Sequence, residues 1–269
     1  MKKIIFPTDF SKASESARKV AIDFSLKNEA ELYIVNVYQM PYVRSGSFSS
    51  SLLDVIKKDS HSKMDALAAF LREQYPDLKL TDRCILGDPI QTICDLSDEL
   101  SIDLIVMGTH GASGIEEIFL GSNTQAVIKN ANVPVLAIPT GFDFKAVNKL
   151  AFASDLNFDK STRAIRTIKS LTNQFDTELN VVHFADLLED SESSEEKVEA
   201  IFGDIKYKYL EQLASNLEKG IADYIKYDEV NLFMMIHRKH NFWERLFSSS
   251  NSEKRAMHTK IPLLVLKED

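Results

Sequence analysis

The sequence predicts an α/β protein built as two tandem copies of one small domain, each a doubly wound, five-stranded parallel sheet, and three observations carry that expectation. Short apolar runs alternate with amphipathic segments along the chain, the pattern of βαβ units whose sheet is covered on both faces. The pattern repeats: Lys3-Ile-Ile-Phe-Pro-Thr-Asp9 matches Lys149-Leu-Ala-Phe-Ala-Ser-Asp155 at an offset of 146 residues. Ile102–Met107 then matches Val230–Met235, and Val133–Ile138 matches Ile261–Leu266, both at an offset of 128. A constant offset over that stretch leaves no gaps there, so the second copy is shortened in the connection after its second strand. Finally, 269 residues suit two domains of about 130 residues each.

Element by element, the first copy reads as strand 3–6, helix 12–28, strand 31–37, helix 52–75, strand 79–85, helix 89–100, strand 103–107, helix 122–131 and strand 133–138. The strands are apolar runs too short for helices, and the helices carry their apolar residues on one face. The second copy repeats the order with strands at 149–153, 178–184, 206–213, 230–236 and 261–266, and helices at 160–175, 192–203, 216–227 and 249–258. The expected domains are 1–141 and 146–269, joined by a connection too short to be an independent linker. Arg44–Ser51 and the acidic Glu189–Glu196 are the loop-like stretches, in equivalent places after the second strands.

A composition 44% hydrophobic and 27% charged marks a folded globular chain. The net charge of −8 argues against a broad basic footprint for nucleic acid or an anionic membrane. Cys84 and Cys94 fall in a strand and the next helix at no metal-binding or redox spacing, which reads as reduced, buried thiols. No leader or membrane-spanning run is evident, so a cytoplasmic location is expected.

The chemistry concentrates after the fourth strand of the first copy, where Gly108-Thr-His-Gly111 is followed nine residues later by Gly121-Ser122-Asn123-Thr124 opening a helix. Glycines allow positive φ and close backbone approach, and a helix start offers unpaired N–H groups and partial positive charge, which together suit a phosphate. Ser122 with Gln125 also forms a capping box, so the Ser122 hydroxyl either caps the helix or turns to an anion. Open α/β sheets bind ligands beyond the carboxyl ends of strands where the order reverses. Asp9, at the end of the first strand, is placed to accept from both ribose hydroxyls, or else simply to make a strand-end turn. Val37, at the end of the second, can offer backbone groups to a base edge. The loop is neither a Walker A loop nor a G-x-G-x-x-G fingerprint. Gly111-Ala-Ser113-Gly114 is no nucleophile elbow.

With Gly108, Gly111, Gly121 and Ser122 spelling G-x2-G-x9-G-[ST], and Pro7-Thr8-Asp9-Phe10-Ser11 ending the first strand, the chain resembles the universal stress protein family. The likeness covers the first copy and, more weakly, the second. It implies a Rossmann-like sheet ordered 3-2-1-4-5 with domains paired through their fifth strands, and adenosine held by Pro7, Thr8, Asp9, Val37 and Met107. Gly108, His110, Gly111, Gly121, Ser122, Asn123 and Thr124 would line the phosphates. The implied ligand is ATP or another adenine nucleotide. Because the loop has no lysine to balance phosphate charge, Mg²⁺ or Mn²⁺ is expected with it. The implied role is stress-response nucleotide binding, in a homodimer or with a protein partner. The alternatives are a slow ATPase or phosphotransfer protein, and a nucleotide-independent scaffold.

The second copy departs at the glycines: Ile236, Lys239 and Ser249 replace them, while Ser250 and Asp155 keep the serine and aspartate. Side-chain bulk at Ile236 predicts that ATP does not bind there in the same way. The segment His237–Arg245 mixes cations with aromatics, as a different anion site or partner surface would, or as a solvated loop with Phe242 and Trp243 docked into the vacated cleft. His237, His240 and His258 lack the carboxylate or cysteine partners of a zinc site. Arg163, Arg166 and Lys169 read as the solvated face of one helix.

Overall fold

The computed structural model describes residues 1–12, 14–40, 50–109, 120–142, 147–154, 156, 162–185, 194–213, 217–237 and 261–268. The chain forms two compact units, the first comprising Met1–Ile115 and Gly121–Gly141, the second chiefly Phe142–Asp269. In the first, β1 (Lys3–Pro7), α1 (Ser14–Lys27), β2 (Glu31–Tyr38), α2 (Ser50–Gln74), β3 (Leu80–Leu86), α3 (Pro89–Glu99), β4 (Leu104–Gly108), α4 (Ser122–Asn130) and β5 (Val135–Ile138) follow in order. The second holds β6 (Leu150–Ser154), α5 (Arg163–Gln174), β7 (Leu179–Ala185), α6 (Ser194–Phe202), β8 (Tyr207–Leu213), α7 (Leu217–Tyr227), β9 (Leu232–His237) and β10 (Leu263–Lys267). Helix 249–258 of the sequence reading lies outside the described residues.

Within the first unit every strand pair is parallel and the order is β3-β2-β1-β4-β5, as expected. The second unit repeats it as β8-β7-β6-β9-β10. The central strands are apolar on both faces and lie buried along their length, with Ile4, Ile5, Phe6, Ile105 and Val106 all at 0% exposure. The outer strands β3 and β8 instead carry Asp82, Arg83, Lys208 and Glu211 and stay half-exposed, charge on an edge that would otherwise invite pairing. Helix starts follow local chemistry: Asp88 accepts from the Gln91 N–H at 2.9 Å with Pro89 as the first helical residue of α3, and Thr162 accepts from the Ile165 N–H to open α5.

The duplication extends to individual hydrogen bonds. Asp103 Oδ2 accepts the N–H groups of Lys2 and Lys3 at 2.6 and 3.2 Å, and its counterpart Asn231 accepts those of Asn148 and Lys149 at 3.0 and 2.9 Å. Among the described residues, the six non-glycine residues at positive φ form three matched pairs: Phe10 with Leu156 after the first strand of each unit, Glu29 with Asp176 after the first helix, and Ser101 with Glu229 before the fourth strand. Left-handed backbone costs a non-glycine residue roughly 1–2 kcal/mol, so its recurrence marks geometry both copies require. The shortening of the second copy falls in the helix itself, α6 having 9 residues where α2 has 25.

Gly203, just after α6, has no room for a side chain. A Cβ there would lie 2.7 Å from the Glu199 carbonyl oxygen and 2.6 Å from its carboxylate, which takes the Tyr207 hydroxyl. Gly203→Ala is therefore expected to cost about 1–3 kcal/mol in urea unfolding. Gly87→Ala, which meets only the rotatable Thr92 hydroxyl, should cost less.

Candidate functional site

The order of the first sheet reverses at β1, which pairs with β2 on one side and β4 on the other. Crossovers leaving β1 and β4 in opposite directions open a crevice at their carboxyl ends. There the structure has a cavity of about 350 Å³. Ten of the twelve residues singled out from the sequence line it: Pro7, Thr8, Asp9, Val37, Met107, Gly108, Gly121, Ser122, Asn123 and Thr124. His110 and Gly111 lie outside the described residues.

Sequence reasoning missed six more wall residues: Ser14, Val35, Pro89, Ile90, Ile93 and Val127. Val35 shares the face of Val37 by the two-residue strand period, and Ile90 and Ile93 are three apart on α3. The available signal was the Asp88-Pro89 helix start, which brings the first turn of α3 to the mouth. With Pro7, Val37 and Met107, the five apolar residues among these six make much of the cavity lining apolar.

The turn after β1 is held by its own side chains. Thr8 Oγ1 accepts the Phe10 N–H at 3.0 Å, Asp9 Oδ1 accepts the Ser11 N–H at 3.0 Å, and Phe10 sits at φ 61°. Ser14 donates to the Ser11 carbonyl at 2.8 Å and lies 3.3 Å from the Thr8 hydroxyl, while buried Asn36 donates to the Thr8 carbonyl at 2.8 Å. Asp9 thus makes the strand-end turn with one oxygen while it also stands, exposed, in the cavity wall.

On the opposite side α4 begins. Its N-cap is Gly121, at φ −55° and ψ 152°, with no side-chain cap. This corrects the capping-box expectation. The Gln125 N–H bonds the Gly121 carbonyl at 3.0 Å, so Ser122 is already the first helical residue and cannot cap the turn it belongs to. A second correction concerns the glycines: Gly141, at φ 77°, is the positive-φ glycine of the described residues, so Gly108 and Gly121 supply room, not left-handed backbone. The first-turn N–H groups of Ser122, Asn123 and Thr124 have no carbonyl within the helix to bond, and no lysine or arginine stands among the wall residues. The cavity therefore presents an apolar wall, a carboxylate and a polarised helix start.

The second unit keeps half of this design. Ser154 Oγ accepts the Leu156 N–H at 2.9 Å, and His183, in the place of Asn36, bonds the Ser154 carbonyl through Nδ1 at 3.0 Å. In the place of Val37 stands Phe184, its ring edge-on to that of buried Tyr224 at 6.2 Å. Tyr224 also receives the Asn180 amide at 2.8 Å, and burial pushes its phenol up to about 12. The place of Val37 thus carries a ring packed on a second aromatic. Ile236 extends β9 against Leu266, where Gly108 ends β4. Asp155, Lys239, Ser249, Ser250 and nearly all of His237–Arg245 lie outside the described residues.

Comparison with known proteins follows the same division. The model of the universal stress protein family matches residues 1–139. A universal stress protein of Methanocaldococcus jannaschii is 29% identical over 154 residues, covering 51% of this chain and 94% of its own. A second from that organism is 34% identical over 141 residues, covering 51% of this chain and 81% of its own. The crystal structure of a universal stress protein from Archaeoglobus fulgidus matches the fold of 99% of this chain and 96% of its own, at TM-score 0.75 and 21% identity.

Proposed function

The chain belongs to the universal stress protein family, and on that premise we propose that its first unit binds one adenine nucleotide, ATP with Mg²⁺ or Mn²⁺ foremost, as a cytoplasmic stress-response binding protein. The observation that carries this reading is the uncapped start of α4 at one end of an apolar-walled cavity, facing the strand end that bears Asp9. Apolar walls suit a base, a carboxylate suits ribose hydroxyls, and first-turn N–H groups suit phosphates.

Among the described residues no three His, Cys, Asp or Glu gather into a metal-holding group. A divalent ion therefore belongs with the phosphate oxygens, whose charge it would neutralise. The chain's own residues bind and orient: α4 donates, Asp9 accepts, and the valines and isoleucines exclude water. The reading is of binding, since the described wall offers neither an arginine nor a lysine to stabilise a transferring phosphoryl group. Among the described residues, no helix is long and apolar enough to cross a membrane.

Titration calorimetry with ATP, ADP, AMP and cyclic AMP, with and without Mg²⁺, tests the ligand. Asp9→Asn keeps an oxygen for the Ser11 turn while removing the charge that would draw ribose hydroxyls. It should weaken nucleotide binding ~10-fold, the size of a hydrogen bond to a charged group. Unchanged affinity in Asp9→Asn would remove the aspartate from the site, and no heat with any adenine nucleotide would defeat the proposal.

A further inference from the structure

Sequence reasoning placed Thr124 among the residues touching phosphate. Its side chain is otherwise engaged: it is buried to 3% exposure and Oγ1 donates to the Gly108 carbonyl at 2.8 Å, sixteen residues back. A threonine hydroxyl has one proton, so this bond leaves none for a phosphate oxygen. Gly108 is the last residue of β4 and is fixed in the sheet by its pairing with Ile138. The bond therefore fastens the first turn of α4 to a rigid strand end. One further tie acts beside it, from the Gly121 N–H to the Thr109 carbonyl at 2.5 Å. No side chain caps α4, and both bonds tie its start to the end of β4 and the residue after it.

We infer that Thr124 is a positioning residue: its bond to Gly108 aims the free N–H groups of α4 into the cavity, setting the phosphate-dependent part of nucleotide affinity and leaving the nucleoside part alone. This rests on the cavity being a nucleotide site. The field of a helix terminus fades within its first turn, so a start released from the strand end loses anion affinity before the helix itself is lost.

Two variants and two readouts test it in the full-length protein. Thr124→Val keeps the shape and removes the donor, and Thr124→Ser restores the donor. In the nucleotide-free protein, hydrogen exchange at the hydrogen-bonded amides of Gly121 and Gln125 should quicken in Thr124→Val and return towards wild type in Thr124→Ser. Calorimetry at fixed Mg²⁺ should show ATP binding weakened roughly tenfold in Thr124→Val, the scale of a partly buried helix–anion interaction, with adenosine binding unchanged. Unaltered exchange in the free protein combined with weaker ATP binding would make Thr124 a direct phosphate contact and overturn the inference. Equal loss for adenosine and ATP, or no loss for either, would overturn it too. Wild-type protein that binds neither ligand would instead refute the nucleotide reading, while the exchange data would still decide whether Thr124 fastens α4.

Discussion

Phe152→Ala should destabilise the protein by about 3–5 kcal/mol, the range for deleting a buried phenyl ring from a core that cannot collapse around the gap. Phe152 lies on β6, the second unit's central strand, at 1% exposure, and its ring meets that of Phe202 edge-on at 6.0 Å between centroids. The change removes both the ring's burial and the aromatic pair, which itself contributes ~0.5–1.5 kcal/mol. Ordinary domains have only about 5–15 kcal/mol in hand, so the second unit should be left close to unfolding at ambient temperature. Guanidinium unfolding beside a Phe152→Leu control would measure this. A loss under about 1 kcal/mol would mean that the strand does not depend on the ring.

The symmetry behind that prediction was legible in the sequence. Phe152 is the repeat partner of Phe6, itself fully buried, and the two strands were recognised from the runs that contain them. The strand and helix positions that fall on described residues came through within a few residues, helped by local signals such as Asp88-Pro89 before α3. What could not be read was anything set by a partner distant in sequence. Nothing in Phe10 or Leu156 announces left-handed backbone; the structure shows it twice, in the same turn.

The site was legible in the same uneven way. The glycines and Asp9 could be found by spacing, and the cavity gathers those that are described. The reason given for the glycines needs correcting at Gly108 and Gly121, whose φ values are ordinary, so that close approach is what they offer. Ile90 and Ile93 were indistinguishable from a core-facing helix stripe until the fold put α3 beside the mouth. Thr124 looked like a phosphate donor because its acceptor, Gly108, is sixteen residues away and belongs to a strand. Phe184, which stands in the second unit's counterpart of the Val37 place, has no motif to betray it.

Gly121→Val should abolish ATP binding, by at least ~100-fold in Kd, while leaving the fold intact. Gly121 is at φ −55° and ψ 152°, a conformation open to any side chain, so valine meets no backbone strain there. Glycine is a much better N-cap than valine, so the change should cost about 1 kcal/mol of stability, too little to unfold the domain. Binding is another matter. Gly121 forms the cavity wall at the start of α4, where phosphate oxygens must come within about 3 Å of backbone N–H groups. Three added carbons at that wall hold an anion away from the donors that would replace its water, and a buried charge without its donors is costly. Wild-type protein should titrate to one ATP per chain, because the second unit carries the bulkier Phe184 and Ile236 where the first has Val37 and Gly108. Calorimetry with paired thermal melts separates the outcomes. A variant that melts normally and binds nothing places the nucleotide against Gly121. Two sites in the wild type, one surviving in the variant, would show that the second unit binds despite those bulkier residues. Full affinity in a folded variant would move the phosphates elsewhere and with them the role assigned to α4.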